Sequence, residues 1–198
     1  QVALHPRLAE PPAALAAWAF TTTDMQHYQP LAWLAYGALA TAGDRAAAVH
    51  TTSVALHLLN VALLFWLTTR ILAGRDDDGD WWIPAATTAL FAVHPMRVEP
   101  VAWASALPYL LSYAPLLLSA GCWLAWLRGG RPHTLAAAVV LYAVSQLSRV
   151  TAPLYPVLLV ALAGAVPGTG RRPRDAVVRA AALVAVVAVP LAWMEAGA

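Results

Sequence analysis

The stretch Phe91-Ala-Val-His-Pro-Met-Arg-Val-Glu-Pro-Val-Ala-Trp103 places a histidine, an arginine and a glutamate between two long apolar runs. Pro95 and Pro100 predict a break in the helix there, because each removes a backbone donor and biases the preceding residue to extended geometry. Ionisable groups near membrane depth are costly and usually face a polar cavity or a partner. The stretch is therefore either a substrate-facing loop or a short turn in which Arg97 and Glu99 pair.

The composition around this stretch indicates an integral membrane protein. Of the 198 residues, 61% are hydrophobic and 11% are charged, whereas a soluble domain carries about 25% charged residues. The net charge of +2 gives no indication of a nucleic-acid partner. The single Cys122 excludes a disulfide within the chain. No signal peptide precedes the apolar runs, and the start at Gln1 predicts a piece of a longer protein.

The hydropathy pattern predicts an all-α fold, a polytopic transmembrane bundle of about six membrane-embedded helices plus a short interfacial helix. Residues 1–45 are expected to form an extracytoplasmic or interfacial segment, with helices near 13–20 and 28–40. Residues 46–198 are expected to form the transmembrane bundle. The predicted spans are 46–72, 81–93, 101–127, 134–147, 150–166 and 176–194. The second and the fourth are short for a full crossing at 1.5 Å per residue.

The arginines test this layout, since every basic residue is an arginine. If the spans alternate, eight of them share one face: Arg70, Arg75, Arg128, Arg131, Arg171, Arg172, Arg174 and Arg179. The other face carries Arg7, Arg45, Arg97 and Arg149. The positive-inside rule then places the first group in the cytoplasm and the loop 94–99 outside. The expected location is an inner (cytoplasmic) membrane of bacterial type.

Two polar groups have alternative interpretations. The acidic run Asp76-Asp77-Asp78-Gly79-Asp80 is either a solvated connector or a divalent-metal site, because carboxylate oxygens suit Mg²⁺ and Mn²⁺. His50 and His57 share one helix face, with Asn60 one turn further on. They either ligate a haem or chlorophyll or hydrogen-bond across helices, which is the usual role of such residues. We expect His57 and Asn60 to contact another helix of the same chain.

A second polar junction, Ser145-Gln-Leu-Ser-Arg-Val-Thr-Ala-Pro153, falls on the same predicted face as Arg97 and Glu99. The fixed fork of donors on Arg149 suits a phosphate or a carboxylate. The alternative is a helix end whose Arg149 pairs with Glu99 or reaches the lipid head groups.

Four segments in order over residues 28–160 resemble a single family: Tyr28-Gln-Pro-Leu31, His57-Leu-Leu-Asn60, Phe91 to Ser105, and Ser145 to Pro156. The family consists of polytopic membrane glycosyltransferases with a C-terminal tetratricopeptide array, related to the protein O-mannosyltransferases of the GT-C superfamily. The most specific match is His94-Pro-x-x-Val-Glu-x-Val-Ala-Trp103. The family's Arg-Lys-Asp is Leu107-Pro-Tyr109 here, and the tetratricopeptide array is missing.

The resemblance implies transfer of a sugar from a polyprenyl-phosphate carrier on the extracytoplasmic side. By position, Glu99 and Asp24 correspond to catalytic acids, and the substrate-binding residues are His94, Arg97, Arg149 and Tyr28. An acid in the first external loop would act as a base or as ligand of a divalent metal, the one candidate cofactor. The paired acids expected upstream are absent, with only Glu10 and Asp24 available.

The alternative function is a non-catalytic transmembrane scaffold or accessory subunit of a larger membrane complex, such as a photosynthetic or respiratory assembly. The nine tryptophans and the small-residue-rich helices suit close packing with neighbouring helices. The expected partners are membrane lipids, a lipid-linked sugar and neighbouring membrane subunits. In either case we expect His94, Arg97, Glu99 and Arg149 to converge, with Glu99 and one arginine forming a pair.

Overall fold

The computed structural model describes residues 5–73, 81–150, 154–166 and 173–183, together with residues 185, 187 and 189. This part of the chain is helical and contains no strand, so the all-α prediction is confirmed. Its α-helices are α1 (Pro12–Ala19), α2 (Pro30–Ala40), α3 (Arg45–Leu72), α4 (Trp82–Val93), α5 (Val98–Ala102), α6 (Leu107–Leu127), α7 (Pro132–Ser148), α8 (Tyr155–Ala165) and α9 (Pro173–Leu183).

Two helical segments of the described chain, rather than about six, are long and apolar enough to cross a membrane. They are Arg45–Leu72 and Ala104–Leu127, of 28 and 24 residues. The predicted spans 81–93 and 150–166 contain only α4, of 12 residues, and α8, of 11 residues. At 1.5 Å per residue each is about 17 Å long, roughly half of a hydrocarbon core of about 30 Å. The acidic run 76–80 and residues 190–194 of the last predicted span lie outside the described residues.

The break predicted at the prolines is present. Helix α4 ends at Val93, His94 is extended, and Pro95–Arg97 forms one 3₁₀ turn before the short α5. The His94 side chain caps this turn, because its Nδ1 accepts a hydrogen bond of 3.2 Å from the Met96 amide. The segment between α4 and α6 is therefore broken into short turns, and α5 packs against α3.

Helix α6 is the centre of the bundle and packs against α3, α7 and α8. Pro115 interrupts its hydrogen-bond ladder, because a proline has no amide hydrogen to donate to the Leu111 carbonyl. Neighbouring helices donate to carbonyls beside this point, from Asn60 to Leu110 at 2.9 Å and from Ser145 to Ser112 at 2.8 Å. Side chains from adjacent helices commonly satisfy the backbone near such prolines.

Contacts between elements define two opposite ends of the bundle. At one end, Tyr36 of α2 donates to the Ala104 carbonyl at 2.6 Å, close to where α6 begins. At the other end, Arg128 follows the last residue of α6 and donates to the Ala73 carbonyl after α3, at 3.0 Å. We call the first the α6-start end and the second the α6-finish end.

Helix α6 ends in a glycine cap. Gly129 has a φ of +91°, and the amides of Gly129 and Gly130 donate to the carbonyls of Trp126 and Ala125. These two bonds form a Schellman motif, in which a residue with positive φ follows the helix.

We expect Gly129→Ala to lower the free energy of unfolding by about 1 kcal/mol, because a Cβ is disfavoured at positive φ. Denaturant titration followed by circular dichroism measures this change. The matched control is Gly43→Ala, because a Cβ there meets no atom within 4 Å. An equal loss in both variants would contradict the conformational origin of the effect.

Candidate functional site

Arg149 lies at the α6-start end, immediately after α7, and its guanidinium is held by a loop 120 residues earlier in the chain. Its Nη1 donates to Gln29 Oε1 at 3.1 Å, and its Nη2 lies 2.9 Å from His27 Nε2. An arginine has only donors, so His27 Nε2 accepts in this contact. The side chain is half-buried, and both partners fix the orientation of its fork.

An aromatic ring supports the same guanidinium from α6. Arg149 Cζ lies 4.2 Å from the centroid of the Tyr109 ring. Such cation–π contacts contribute about 0.5–2 kcal/mol, more when they are shielded from water. Three separate parts of the chain, residues 27–29, α6 and the end of α7, thus meet at Arg149. We call this group, made of His27, Gln29, Tyr109 and Arg149, the Arg149 nest.

Tyr28 stabilises the loop that enters the nest. Its side chain is buried, and its hydroxyl donates to the Phe20 carbonyl at 3.2 Å. Burial raises the pKa of this hydroxyl above the ordinary tyrosine value. Tyr28, predicted to bind substrate, instead lies in the core and positions its neighbours His27 and Gln29.

Asp24 begins the turn that leads to His27. Its Oδ2 lies 2.8 Å from His5 Nε2, and its Oδ1 accepts from the Met25 amide at 2.7 Å. Met25 and Gln26 both have a φ of 61°, a conformation that costs a non-glycine residue about 1–2 kcal/mol. This tight turn carries the Asp24 carboxylate at the surface, with 39% of its side chain exposed.

Arg97 lies over α6 one turn further along than Arg149. Its Cζ is 4.6 Å from the centroid of the Phe91 ring and 5.5 Å from that of Tyr113. Tyr109 and Tyr113 are four residues apart on one helix, so their side chains are neighbours on its surface. Arg97 and Arg149 therefore lie over neighbouring rings of α6, each with its own partners. The predicted convergence of four residues at one pocket is not seen in the described chain, because the cleft that His94 and Arg97 line includes neither Glu99 nor Arg149.

Glu99 makes no contact of the predicted kind. Its side chain is exposed on α5, and the ion pairs within the described residues are His5–Asp24 and Arg7–Glu10. The expected pair of Glu99 with an arginine is wrong, because both arginines are held by aromatic rings, with Gln29 and His27 also binding Arg149. Because the Glu99 carboxylate stays in solvent, it avoids the desolvation cost that a buried ion pair would require.

The two polar residues of α3 behave as expected. His57 Nε2 lies 3.1 Å from the Ala92 carbonyl of α4, and Asn60 donates to Leu110 of α6. Their predicted contact with other helices of the chain is confirmed. These bonds join α3 to α4 and to α6.

The prediction of a divalent metal finds no cluster of ligands to support it. The described residues contain no group of three histidine, cysteine, aspartate or glutamate side chains arranged to hold an ion. The acidic run Asp76 to Asp80 lies outside them. We therefore derive no chemical step through a metal.

Comparison with known proteins adds no assignment: no protein family, no curated protein and no solved structure matches the chain. The chemical interpretation therefore depends on the site itself. An oriented guanidinium can bind an anionic group such as a phosphate through charge-assisted hydrogen bonds.

His27, Gln29 and Tyr109 were missed by the sequence interpretation. They bind Arg149 from positions that are distant along the chain, and no local pattern relates them to it. The one sequence feature that could have pointed to His27 and Gln29 is their position on either side of Tyr28, which the resemblance identified as a substrate-binding residue.

Proposed function

We propose that the chain is the membrane core of a glycosyltransferase that takes a sugar from a polyprenyl-phosphate carrier on the extracytoplasmic side of a bacterial inner membrane. The Arg149 nest carries this proposal. It joins two segments that resemble the family, residues 28–31 and the end of α7, and adds Tyr109 of α6, which lies just after a third such segment, Phe91 to Ser105. Their convergence on one half-buried guanidinium is expected of a binding site and not of unrelated helix ends.

The distribution of arginines supports the orientation. Arg70 and Arg128 line one cleft at the α6-finish end, with Trp66 and Thr134. Arg97 and Arg149 belong to the α6-start end. In the proposed topology the α6-finish end is cytoplasmic, because arginines concentrate on that side of a membrane protein. The helices α4, α7, α8 and α9 are then embedded beside the two longer segments, giving a bundle of about six membrane helices.

In this proposal Arg149 binds the carrier phosphate. Transfer breaks the bond between the sugar and the phosphate, and the phosphate leaves with the electron pair. The forked guanidinium neutralises that charge through charge-assisted hydrogen bonds. The acceptor hydroxyl attacks the sugar and gives its proton to Asp24, whose carboxylate is exposed on the same turn as His27. We choose Asp24 rather than Glu99 as the base, because Asp24 lies three residues before His27, on the turn that leads into the nest, whereas Glu99 is exposed on α5.

The test is binding of decaprenyl phosphate by the purified chain in nanodiscs. We expect Arg149→Gln to weaken binding about tenfold to a hundredfold, since hydrogen bonds to charged groups contribute about 1.5–3 kcal/mol. Arg149→Lys should weaken it less, because a point charge replaces the planar fork. Arg131→Gln is the matched control, an exposed arginine at the start of α7, the other end of that helix.

Unchanged binding in Arg149→Gln, or an equal loss in Arg131→Gln, would overturn the assignment of the phosphate to the nest. Transfer of a labelled sugar from the same carrier, lost in Asp24→Asn while carrier binding persists, would support the catalytic part of the proposal.

A non-catalytic subunit is the second candidate, favoured by the exposed apolar surface of α3 and α4. Leu58 of α3 is 62% exposed, and Leu90 and Val93 of α4 are 64% and 79% exposed. Lipid covers such a surface in the glycosyltransferase proposal, and another membrane chain covers it in this one. Stoichiometric co-purification with other membrane chains, retained in Arg149→Gln and lost in Leu58→Arg, would favour the subunit.

A further inference from the structure

A cleft separate from the Arg149 nest opens between α3 and the segment that follows α4. It has a volume of about 310 Å³, and its polar lining consists of His50, His57, His94 and Arg97. Neither His50 nor His57 takes part in the proposed sugar transfer. Because α3 rises 1.5 Å per residue, these two histidines extend the cleft over about 10 Å along the helix.

Arg97 is the strongest donor in this cleft and has no polar partner there. Its guanidinium is half-buried over the rings of Phe91 and Tyr113, and it makes no hydrogen bond or ion pair with any described residue. A guanidinium carries five N–H donors. The two rings fix its position without using those donors, which is the arrangement needed to bind an anion.

The histidines provide further hydrogen-bonding groups. His94 Nδ1 accepts from the Met96 amide, so its Nε2 carries the hydrogen in the neutral ring. His57 contacts the Ala92 carbonyl through Nε2, while its Nδ1 is buried without a partner among the described residues. A buried polar atom without a partner costs about 1–3 kcal/mol and marks a place where a bound group would be stabilised.

The cleft is lined by no carboxylate within the described chain. The nearest acid in sequence is Glu99, which is exposed on α5 and lies outside the lining. A concave site that contains one arginine, three histidines and no acid attracts an anion and repels a cation.

The remaining walls of the cleft are apolar. Val93 and Val98 line it and are 79% and 66% exposed, and the exposed Leu90 continues this surface one turn back along α4. A free anion would gain nothing from these walls. An amphiphile gains from both parts, since its charged head meets Arg97 and its chain covers apolar surface along α4.

We propose that this cleft is a second anion site, which binds the phosphate-bearing head group of a membrane amphiphile. Arg97, His50 and His94 bind the phosphate, and Val93, Val98 and Leu90 contact the first part of the chain. His57 donates to the Ala92 carbonyl, so its Nδ1 is an acceptor that a hydroxyl of the head group would satisfy. The site is distinct from the Arg149 nest and does not depend on the proposal of sugar transfer.

The experiment uses the purified full chain in dodecyl maltoside micelles, with dodecyl phosphate as the probe and the shift in melting temperature as the measure of binding. We expect saturable stabilisation of the unmodified protein and an apparent affinity about tenfold lower in Arg97→Gln. His50→Gln, a change at an exposed residue on the rim, should weaken binding about threefold. If Arg97→Gln does not fold, the His50→Gln variant still tests whether the cleft binds the probe.

Two matched controls distinguish binding in this cleft from a general effect of charge and from binding in the Arg149 nest. Arg70 also lies over a ring, with its Cζ 5.8 Å from the centroid of Trp66, but at the far end of α3. Arg70→Gln should bind dodecyl phosphate as the unmodified protein does. In Arg149→Gln, saturable binding of dodecyl phosphate should persist and should still fall about tenfold when Arg97→Gln is added, which separates this cleft from the nest.

Three results would overturn the proposal. Equal losses in Arg97→Gln and Arg70→Gln would show a general effect of charge. Loss in Arg149→Gln alone would place the phosphate in the nest. Displacement of dodecyl phosphate by millimolar inorganic phosphate, with the same dependence on Arg97, would show a site for the free anion rather than for an amphiphile.

Discussion

Replacing Trp123 by alanine is expected to lower the free energy of unfolding by about 3–5 kcal/mol, the range for truncating a fully buried large aromatic side chain. Trp123 is 0% exposed in the middle of α6. Its indole donates to the Leu159 carbonyl of α8 at 3.0 Å, and its ring lies 5.1 Å from that of Trp126. The loss comes from the cavity that the missing indole leaves and from the broken hydrogen bond. Transfer of the side chain out of water contributes less, because a membrane offers less hydrophobic driving force than water does.

The measurement is unfolding of the protein in mixed micelles by sodium dodecyl sulfate, followed by circular dichroism. Trp82→Ala is the control, because this residue of α4 is 57% exposed. We expect its effect to be within about 0.5 kcal/mol. If both variants lose the same stability, the packing of α6 against α8 contributes nothing specific. Trp123→Phe should fall between them, since it keeps most of the volume and loses the bond to Leu159.

Replacing Trp33 by alanine is expected to cost about 3 kcal/mol and to release the N-terminal segment from the bundle. Trp33 of α2 is also 0% exposed. Its ring lies 5.3 Å from His5, 5.1 Å from Trp18 and 6.1 Å from Tyr36. This cluster holds residues 5–20 against α2, and α2 packs against α7, the helix that ends next to Arg149. The variant should therefore also weaken the binding of decaprenyl phosphate.

Limited proteolysis should detect cleavage within residues 5–27 of the Trp33→Ala variant. The Trp103→Ala control should resist cleavage there, because the Trp103 side chain is 60% exposed and its loss removes little packing. Trp33→Phe gives a sharper comparison. The indole nitrogen of Trp33 is buried without a partner among the described residues, unlike that of Trp123. Removing it should cost little, because an unsatisfied donor is lost with it. A greater loss in Trp33→Phe than in Trp123→Phe would contradict this reasoning.

Local chemistry made most of the helices predictable. Pro30 begins α2, and the prolines after Val93 end α4, because a proline fixes φ and lacks a donor. The long apolar runs gave α3 and α6. The count of membrane-length helices was overestimated, since hydropathy does not show where an apolar run stops being helical. Within the run 150–166, α8 has 11 residues, Tyr155–Ala165, too few to cross a membrane.

The sequence by itself determined an all-α chain with two helices long and apolar enough to cross a membrane, and the break between α4 and α6, because composition, periodicity and proline act over a few residues. Only the tertiary structure decided which groups hold the charges. Arg149 binds Gln29 and His27 rather than Glu99, and Arg97 lies on Phe91 and Tyr113 beside two histidines of α3. A guanidinium can bind a carboxylate, an amide oxygen or the face of an aromatic ring, so the presence of an arginine in the sequence does not predict which group binds it. The packing of helices distant along the chain makes that choice.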